Sequence, residues 1–225
     1  MLWLDKNENQ DPVLARLLRE VLTELPVHAL NSYPEAGELY RKLANWVGVT
    51  PESLVLTPGS DGAIRATFET FVEPGDSVIH TEPTFAMYPV YGQIFGAQAH
   101  PISYQPGDDS PRLDCAAILE AVHRLQPKLL CLPNPDSPTG TIIAPEVLAT
   151  ILEECEKAGT VLLVDEAYIQ FSDAQSCLDL VASGADVLVA RTFSKIYGLA
   201  GLRCGLIAGR KDLLDGMARY GVNIT

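Results

Sequence analysis

At 225 residues, with 47% hydrophobic and 20% charged side chains, the chain is long enough to bury a sizeable core, and we expect one large globular domain. The formal net charge of -13 disfavours nonspecific binding to nucleic acid or to anionic membranes, because their phosphates attract basic surfaces. No run approaches the roughly 18 apolar residues of a membrane helix, and the N-terminus lacks a signal-peptide pattern, so we expect a cytoplasmic protein.

The first residues combine a polar arm with one amphipathic helix. The arm is polar through residues 7–9, and apolar residues then recur at helical spacing over residues 13–25. Pro26 ends this helix, because proline cannot continue it. We therefore assign residues 1–30 to an N-terminal arm and helix, and residues 31–225 to the main domain.

From residue 54 onward, short runs rich in branched residues alternate with helical patterns. Strands are predicted at residues 54–57, 77–81, 128–132, 160–165, 186–190 and 204–208. Helices are predicted at residues 38–47, 63–72, 116–124 and 146–157, with Asp114 as the N-cap of the third. Because several runs are apolar throughout, the pattern indicates an α/β fold, with a mainly parallel sheet covered by helices on both faces.

Cysteine and histidine positions argue against a disulfide framework and against a metal site. The five cysteines are widely spaced without a Cys-x-x-Cys pair, and the four histidines are scattered along the chain. We therefore expect reduced thiols and no bound metal.

The turn after the first predicted strand, Pro58-Gly59-Ser60-Asp61, leads into a helix predicted to begin near Asp61. A strand, a turn of small residues and a helix N-terminus together present free backbone N–H groups, which suit an anion. The same pattern also fits an ordinary turn in which Ser60 or Asp61 caps the helix.

Three charged residues lie near the ends of later predicted strands. Asp165 ends an apolar run, Lys195 follows the next run, and Arg203 enters the last one, where a charge needs an anionic partner. Asp165 also fits a helix cap or a surface acid, and Lys195 fits a solvated tip. A lysine can form a Schiff base with an aldehyde, an acid can hold a protonated pyridine nitrogen, and an arginine with a hydroxyl such as that of Ser194 can bind phosphate. Together with Tyr168, these residues predict a pyridoxal phosphate site.

A series of short motifs runs along almost the whole chain. In order they are Lys6-Asn7-Glu8-Asn9, Tyr33-Pro34-Glu35, Gly59-Ser60-Asp61, Glu82-Pro83-Thr84-Phe85-Ala86-Met87-Tyr88, Pro138-Thr139-Gly140, Asp165-Glu166-Ala167-Tyr168, Arg191-Thr192-Phe193-Ser194-Lys195 and Gly201-Leu202-Arg203. In this order and spacing they resemble the large domain of fold-type I pyridoxal phosphate aminotransferases, most of all the histidinol-phosphate aminotransferase branch. The resemblance implies a seven-strand type of sheet.

The resemblance implies a role for each residue around the cofactor ring. Lys195 is expected to bind the cofactor aldehyde and later to move the proton between the substrate α-carbon and the cofactor. Asp165 is expected to pair with the pyridine nitrogen, and Tyr168 is expected to form a hydrogen bond with the phenolic oxygen. Phe85 is expected to stack on the ring face.

The resemblance likewise implies a phosphate site and a partner subunit. The phosphate is expected on the backbone amides of Ser60 and Asp61, with side-chain donors from Ser194 and Arg203 and assistance from Thr192. Tyr33 is expected to reach the phosphate of the neighbouring subunit in a homodimer.

The chain departs from the family pattern at three points. Ser137 replaces the second asparagine of Asn-Asn-Pro-Thr-Gly, which contacts the cofactor ring oxygen, so Ser137 is a candidate contact with a shorter donor. Gly62 replaces an acidic residue. Family members carry, beyond the position of Thr225, a smaller C-terminal domain with an arginine for the substrate carboxylate, and we expect this chain to lack both. Arg219, Tyr220 and Asn223 are expected where the interdomain helix begins.

The resemblance implies a transaminase that moves an amino group between an amino acid or amino alcohol phosphate, such as histidinol phosphate, and a 2-oxo acid. The same cofactor also serves decarboxylases and lyases of amino acid phosphates. A third reading is a catalytically idle cofactor-domain fragment.

Overall fold

The computed structural model describes residues 6–108 and 110–219, and within them seven strands form one sheet. The strands are β1 (Leu54–Thr57), β2 (Ser77–Glu82), β3 (Gln98–Ser103), β4 (Leu129–Pro133), β5 (Val161–Asp165), β6 (Val187–Thr192) and β7 (Gly205–Ala208). Their order is β1-β7-β6-β5-β4-β2-β3. Among these strands β7 pairs antiparallel with β1 and β6, and the four other pairings are parallel, so the prediction of a mainly parallel sheet is confirmed.

Helices pack on both faces of this sheet. The helices of the described residues are α1 (Pro12–Thr23), α2 (Gly37–Val47), α3 (Gly59–Phe71), α4 (Met87–Ile94), α5 (Cys115–Leu125), α6 (Pro145–Ala158), α7 (Leu178–Ala182) and α8 (Lys211–Arg219). Of these, α1 buries none of its residues. Successive residues of β5 point to opposite faces: Leu162 packs with the cluster that includes α5 and α6, and Leu163 with the cluster that includes α3 and α4. No helix in the described ranges is long and apolar enough to cross a membrane.

The sequence pattern misses one strand and three helices. The edge strand β3 contains His100 and Pro101 and is largely exposed, so it lacks the apolar run on which strand prediction depends. Helix α4 contains Pro89 and Gly92, which read as helix breakers. Helices α7 and α8 were not predicted either. Asp114 caps α5 as predicted, accepting a hydrogen bond from the backbone N–H of Ala117 at 3.0 Å.

Two boundaries near the site differ from the predictions. Helix α3 begins at Gly59 rather than near Asp61. Arg203 lies outside β7, at the end of a 3-10 turn over Ala200–Leu202, with a φ of 48°. It therefore avoids the strand interior, where an unpaired charge would be buried. Tyr220 and Asn223 lie outside the described residues.

The sheet brings the ends of several strands to one edge. Pro133 and Asp165 are register partners at the ends of β4 and β5, and Thr57 and Thr192, which end β1 and β6, both pair with Gly205. Because β7 is antiparallel, its beginning lies at the carboxyl edge of its neighbours. This edge is where open α/β sheets bind ligands.

Candidate active site

A cleft of about 680 Å³ opens at the carboxyl edge of the sheet. Its lining includes ten of the residues that the sequence singled out: Ser60, Asp61, Phe85, Ser137, Asp165, Tyr168, Thr192, Ser194, Lys195 and Arg203. Tyr33 is not part of this lining and is 94% exposed. The fold therefore gathers side chains that are up to about 140 residues apart in the sequence.

One end of the cleft is built around the N-terminus of α3. The N-cap is Pro58, whose side chain cannot accept a hydrogen bond, and no other side chain among the described residues caps the first N–H groups of α3. The alternative in which Ser60 or Asp61 caps this helix is therefore wrong. Asp61 instead accepts a hydrogen bond from the Tyr91 hydroxyl at 2.9 Å through Oδ1. The uncapped turn leaves backbone donors and the positive end of the helix dipole for an anion.

The Arg203 guanidinium lies against this helix terminus. Its Nη2 donates to the Pro58 carbonyl at 3.3 Å, and its Nη1 donates to the Ala200 carbonyl at 3.3 Å and reaches the Ser194 hydroxyl at 3.5 Å. Gly59 has a φ of 76°, and a Cβ there would lie 3.1 Å from Nη2. Within the described ranges no carboxylate pairs with Arg203. Its charge is therefore available to an incoming anion.

The hydroxyls of Thr192 and Ser194 complete this end of the cleft. The Thr192 hydroxyl donates to Ser194 Oγ at 3.0 Å and accepts from the Ser194 backbone N–H at 3.1 Å. Both residues are buried. Thr192 thus fixes the rotamer of Ser194 and leaves the Ser194 hydroxyl proton free to be donated.

Asp165 supplies a buried carboxylate to the same cleft. It is 5% exposed, and its Oδ1 accepts from the Ala167 backbone N–H at 3.0 Å, while its Oδ2 accepts from the Tyr88 hydroxyl at 3.2 Å. Burial raises the pKa of this carboxyl to about 6, although both hydrogen bonds act in the opposite direction. Asp165 itself forms no salt bridge with a cation in the described part of the chain. The carboxylate is therefore poised to gain from a positively charged ligand atom.

The adjacent acid, Glu166, is neutralised by the protein itself. It is fully buried, and its Oε2 accepts from Nε and Nη2 of Arg191 at 2.9 and 2.8 Å. Ser176 Oγ donates to the same oxygen at 2.8 Å, and the Cys177 backbone N–H binds Oε1. Of these two consecutive buried acids, Glu166 is paired with a cation, whereas Asp165 is not paired with one in the described residues. Only Asp165 faces the cleft.

Lys195 and Tyr168 are held by the N-terminal arm. Lys195 Nζ donates to the Lys6 carbonyl at 2.9 Å and lies 5.5 Å from the centroid of the Tyr168 ring. Asn7 Nδ2 donates to the Tyr168 hydroxyl at 2.9 Å. The arm therefore forms a wall of the cleft, which the sequence indicated only as a motif.

Phe85 and Ser137 contribute the remaining walls. Phe85 packs edge-on against Tyr88, with ring centroids 5.8 Å apart. Ser137 lies in the loop after β4, which Asn134 and Asp136 fix: Asn134 Oδ1 accepts from Ile143 N at 3.0 Å, and Asp136 Oδ2 from Thr139 N at 2.9 Å. This places an aromatic surface and a hydroxyl at the cleft.

Sequence reasoning missed the contacts of Tyr88 and Asn7. Both residues belong to motifs of the chain, but a motif does not reveal which side chain it touches. The spacing of Phe85 and Tyr88 does indicate that their side chains lie on the same side of the segment, since residues three apart share one face of a helical turn. The assembled cleft suits a flat ligand that carries an anionic group, a protonated ring nitrogen and a group reactive toward an amine.

Comparison with known proteins identifies relatives along nearly the whole chain. The family model of aminotransferase class I and II matches residues 1–223. The histidinol-phosphate aminotransferase of Thermoanaerobacter pseudethanolicus is 32% identical over 213 residues, which are 94% of this chain and 59% of the relative. That of Buchnera aphidicola is 35% identical over 210 residues, 92% of this chain and 55% of the relative.

Solved structures give the same result. The crystal structure of histidinol-phosphate aminotransferase from Sinorhizobium meliloti, in complex with pyridoxal-5'-phosphate, superimposes with a TM-score of 0.81 at 26% identity. The match covers 95% of this chain and 57% of that one. The chain thus spans somewhat more than half the length of the relatives that it matches.

Proposed function

The chain belongs to the class I and II aminotransferase family, and on that premise we propose that its cleft binds pyridoxal phosphate and transfers an amino group from a donor to a 2-oxo acid. The observation that carries this proposal is the buried Asp165 carboxylate, which has no cationic partner among the described residues yet lines the same cleft as Lys195, Arg203 and the uncapped α3 terminus. These groups complement a ring nitrogen, an aldehyde and a phosphate respectively.

The phosphate would be held by the turn at the start of α3 and by two side chains. Among the described residues no side chain caps the N–H groups of Ser60 and Asp61, so a phosphate there would replace water without displacing a protein hydrogen bond. Arg203 supplies a guanidinium that already contacts this turn, and Ser194, oriented by Thr192, supplies a hydroxyl donor.

The ring would be held by Asp165, Tyr168 and Phe85. An ionised Asp165 stabilises a protonated ring nitrogen, and with that proton in place the bound cofactor supplies an electron sink for the carbanion formed at the substrate α-carbon. Phe85 offers a ring face, Tyr168 offers a hydroxyl proton, and Ser137 is a further hydroxyl on the cleft wall. The fixed position of Asp165, with two protein donors, means that little reorganisation accompanies binding.

Lys195 is the group that we assign to covalent attachment and proton transfer. Its amine lines the cleft and donates a hydrogen bond to the Lys6 carbonyl. A ligand atom can replace this carbonyl as the acceptor. A flexible amine at this position can take a proton from a substrate carbon and return it to another atom on the same side.

For the donor we propose an amino alcohol phosphate of the histidinol phosphate class, supported by relatives that are histidinol-phosphate aminotransferases. We also propose a cytoplasmic homodimer in which the exposed Tyr33 reaches the neighbouring subunit's phosphate site. Residues 1–30 would form the arm and first helix, and residues 31–225 the cofactor-binding domain.

The proposal is tested with purified protein loaded with pyridoxal phosphate. Incubation with histidinol phosphate and 2-oxoglutarate should produce glutamate in proportion to the oxo product, with neither carbon dioxide nor ammonia released. Carbon dioxide would instead identify a decarboxylase, and ammonia a lyase. A loaded chain that converts no donor, even once per site, would contradict the proposed transfer.

A further inference from the structure

The N-terminal arm meets the cleft through three residues within a span of four. Lys6 accepts a hydrogen bond from Lys195 Nζ, Asn7 donates to the Tyr168 hydroxyl, and Asn9 Nδ2 donates to the Ile196 carbonyl at 2.9 Å. The approach is close, since a Cβ at Gly198 would lie 3.3 Å from the Asn9 carbonyl oxygen. The arm is therefore packed on the segment that carries Lys195.

Asn7 is the arm residue that bears on the chemistry of Tyr168. A phenol has one proton and accepts hydrogen bonds through its oxygen, and here the acceptor role is taken by the Asn7 amide. In the described part of the chain the Tyr168 hydroxyl donates to no protein acceptor. Its proton is therefore free to be donated to a ligand in the cleft.

The backbone of Asn7 is consistent with a residue held for this contact. Its φ is 52°, in the left-handed region, where asparagine and aspartate are the non-glycine residues found most often. Such conformations persist where the surrounding contacts fix them. Here the neighbouring contacts of Lys6 and Asn9 fix the arm on both sides of Asn7.

We propose that Asn7 is a positioning residue that orients the Tyr168 hydroxyl so that it donates to the phenolic oxygen of the bound cofactor. The inference rests on the proposed function, because it requires the cofactor in this cleft. The arm would then affect the charge on the phenolic oxygen of the cofactor, in addition to packing against the segment that carries Lys195. Charged groups around Tyr168 are Lys195, above its ring, and Glu8, which lines the adjoining cavity. Lys6, Asp61, Asp165 and Arg203 line the same cleft.

The test compares Asn7→Gly and Asn7→Asp, because both replacements tolerate the left-handed backbone. The readouts are the affinity for pyridoxal phosphate and the pH midpoint of the absorbance change of the lysine-bound cofactor. A donor stabilises negative charge on the phenolic oxygen, and that charge is largest after the bound cofactor has lost its proton. Loss of the hydrogen bond from the Tyr168 hydroxyl therefore raises the pH midpoint of the absorbance change.

For Asn7→Gly we expect affinity to fall about five-fold and the midpoint to rise by about 0.7 unit, the changes that correspond to a net hydrogen bond of about 1 kcal/mol. Asn7→Asp should raise the midpoint further, because a carboxylate accepts the Tyr168 proton and adds a negative charge.

A double-mutant cycle with Tyr168→Phe separates orientation from simple docking. If Asn7 acts through the hydroxyl, Asn7→Gly has no further effect on the midpoint in the Tyr168→Phe background. Asn9→Ala removes an arm contact that does not involve Tyr168. Any shift of the pH midpoint that Asn9→Ala causes should therefore persist in the Tyr168→Phe background. An Asn7→Gly effect that also persists, or an unchanged midpoint in Asn7→Gly itself, overturns the inference while leaving the proposed function intact. Absence of any borohydride-trapped cofactor in the unmodified chain overturns both.

Discussion

Replacing Asp165 by asparagine is expected to stabilise the cofactor-free protein at pH 8 while weakening cofactor binding. Burial raises the pKa of Asp165 from 3.8 to about 6. A carboxyl whose pKa is raised on folding contributes stability that is fully present below the unfolded pKa and is lost as pH rises through about 6. At pH 8 the ionised side chain therefore disfavours the folded state by about 3 kcal/mol relative to a neutral one.

The structure also shows what asparagine would retain. Its oxygen can accept from the Ala167 N–H, and its amide can donate to the Tyr88 oxygen, but the Tyr88 proton then loses its acceptor at a cost of about 1 kcal/mol. The net gain at pH 8 is about 2 kcal/mol. At pH 5 the penalty on Asp165 is about half as large, so the gain falls to about 0.5 kcal/mol.

Urea unfolding of both proteins at pH 5 and pH 8 measures this difference. Glu166→Gln is the matched control: it alters the next buried acid but leaves Arg191 without an anionic partner, so it should destabilise the protein by about 3 kcal/mol at both pH values. If Asp165→Asn lowers stability, or if its effect is the same at pH 5 and pH 8, then burial does not hold Asp165 in an unfavourable ionised state and the reasoning fails.

Three further variants probe the two ends of the cleft. Arg203→Lys keeps the charge but loses the planar fork, so affinity for pyridoxal phosphate should fall at least about ten-fold in a binding titration, whereas affinity for pyridoxal, which lacks the phosphate, should not change. Gly59→Ala, at a φ of 76°, should lower the free energy of unfolding by about 1–2 kcal/mol, whereas Gly37→Ala, whose Cβ meets open space, should change it by less than about 0.5 kcal/mol; equal effects would contradict the strain argument. Tyr88→Phe removes a donor from Asp165 and should weaken pyridoxal phosphate binding about ten-fold, and unchanged affinity would show that this bond does not support the ring-nitrogen site.

The sequence predicts the parallel core of the fold because those strands are buried on both faces. The runs that form β4, β5 and β6 are almost entirely apolar, and their predicted bounds agree with the structure to within two residues. The edge strand β3 was missed for the complementary reason, since its exposed polar residues pair through the backbone and carry little apolar signal.

The site residues could be identified from their chemistry and motifs, but their contacts could not. Asp165 and Glu166 are adjacent acids with similar sequence surroundings, and only the fold shows that Arg191 on the next strand neutralises one of them. The Tyr88 contact joins residues 77 positions apart, and the Asn7 contact joins residues 161 positions apart. Such pairings depend on sheet order and on the path of the arm, which local patterns do not specify.

The position of the cofactor in this cleft is tested by identifying the lysine to which it binds. Protein incubated with pyridoxal phosphate is reduced with borohydride and digested, and the modified peptide is located by mass spectrometry. We predict one stoichiometric adduct on Lys195, which disappears in Lys195→Ala. An adduct on another lysine such as Lys6, or no adduct under saturating cofactor, would contradict the assignment of this cleft.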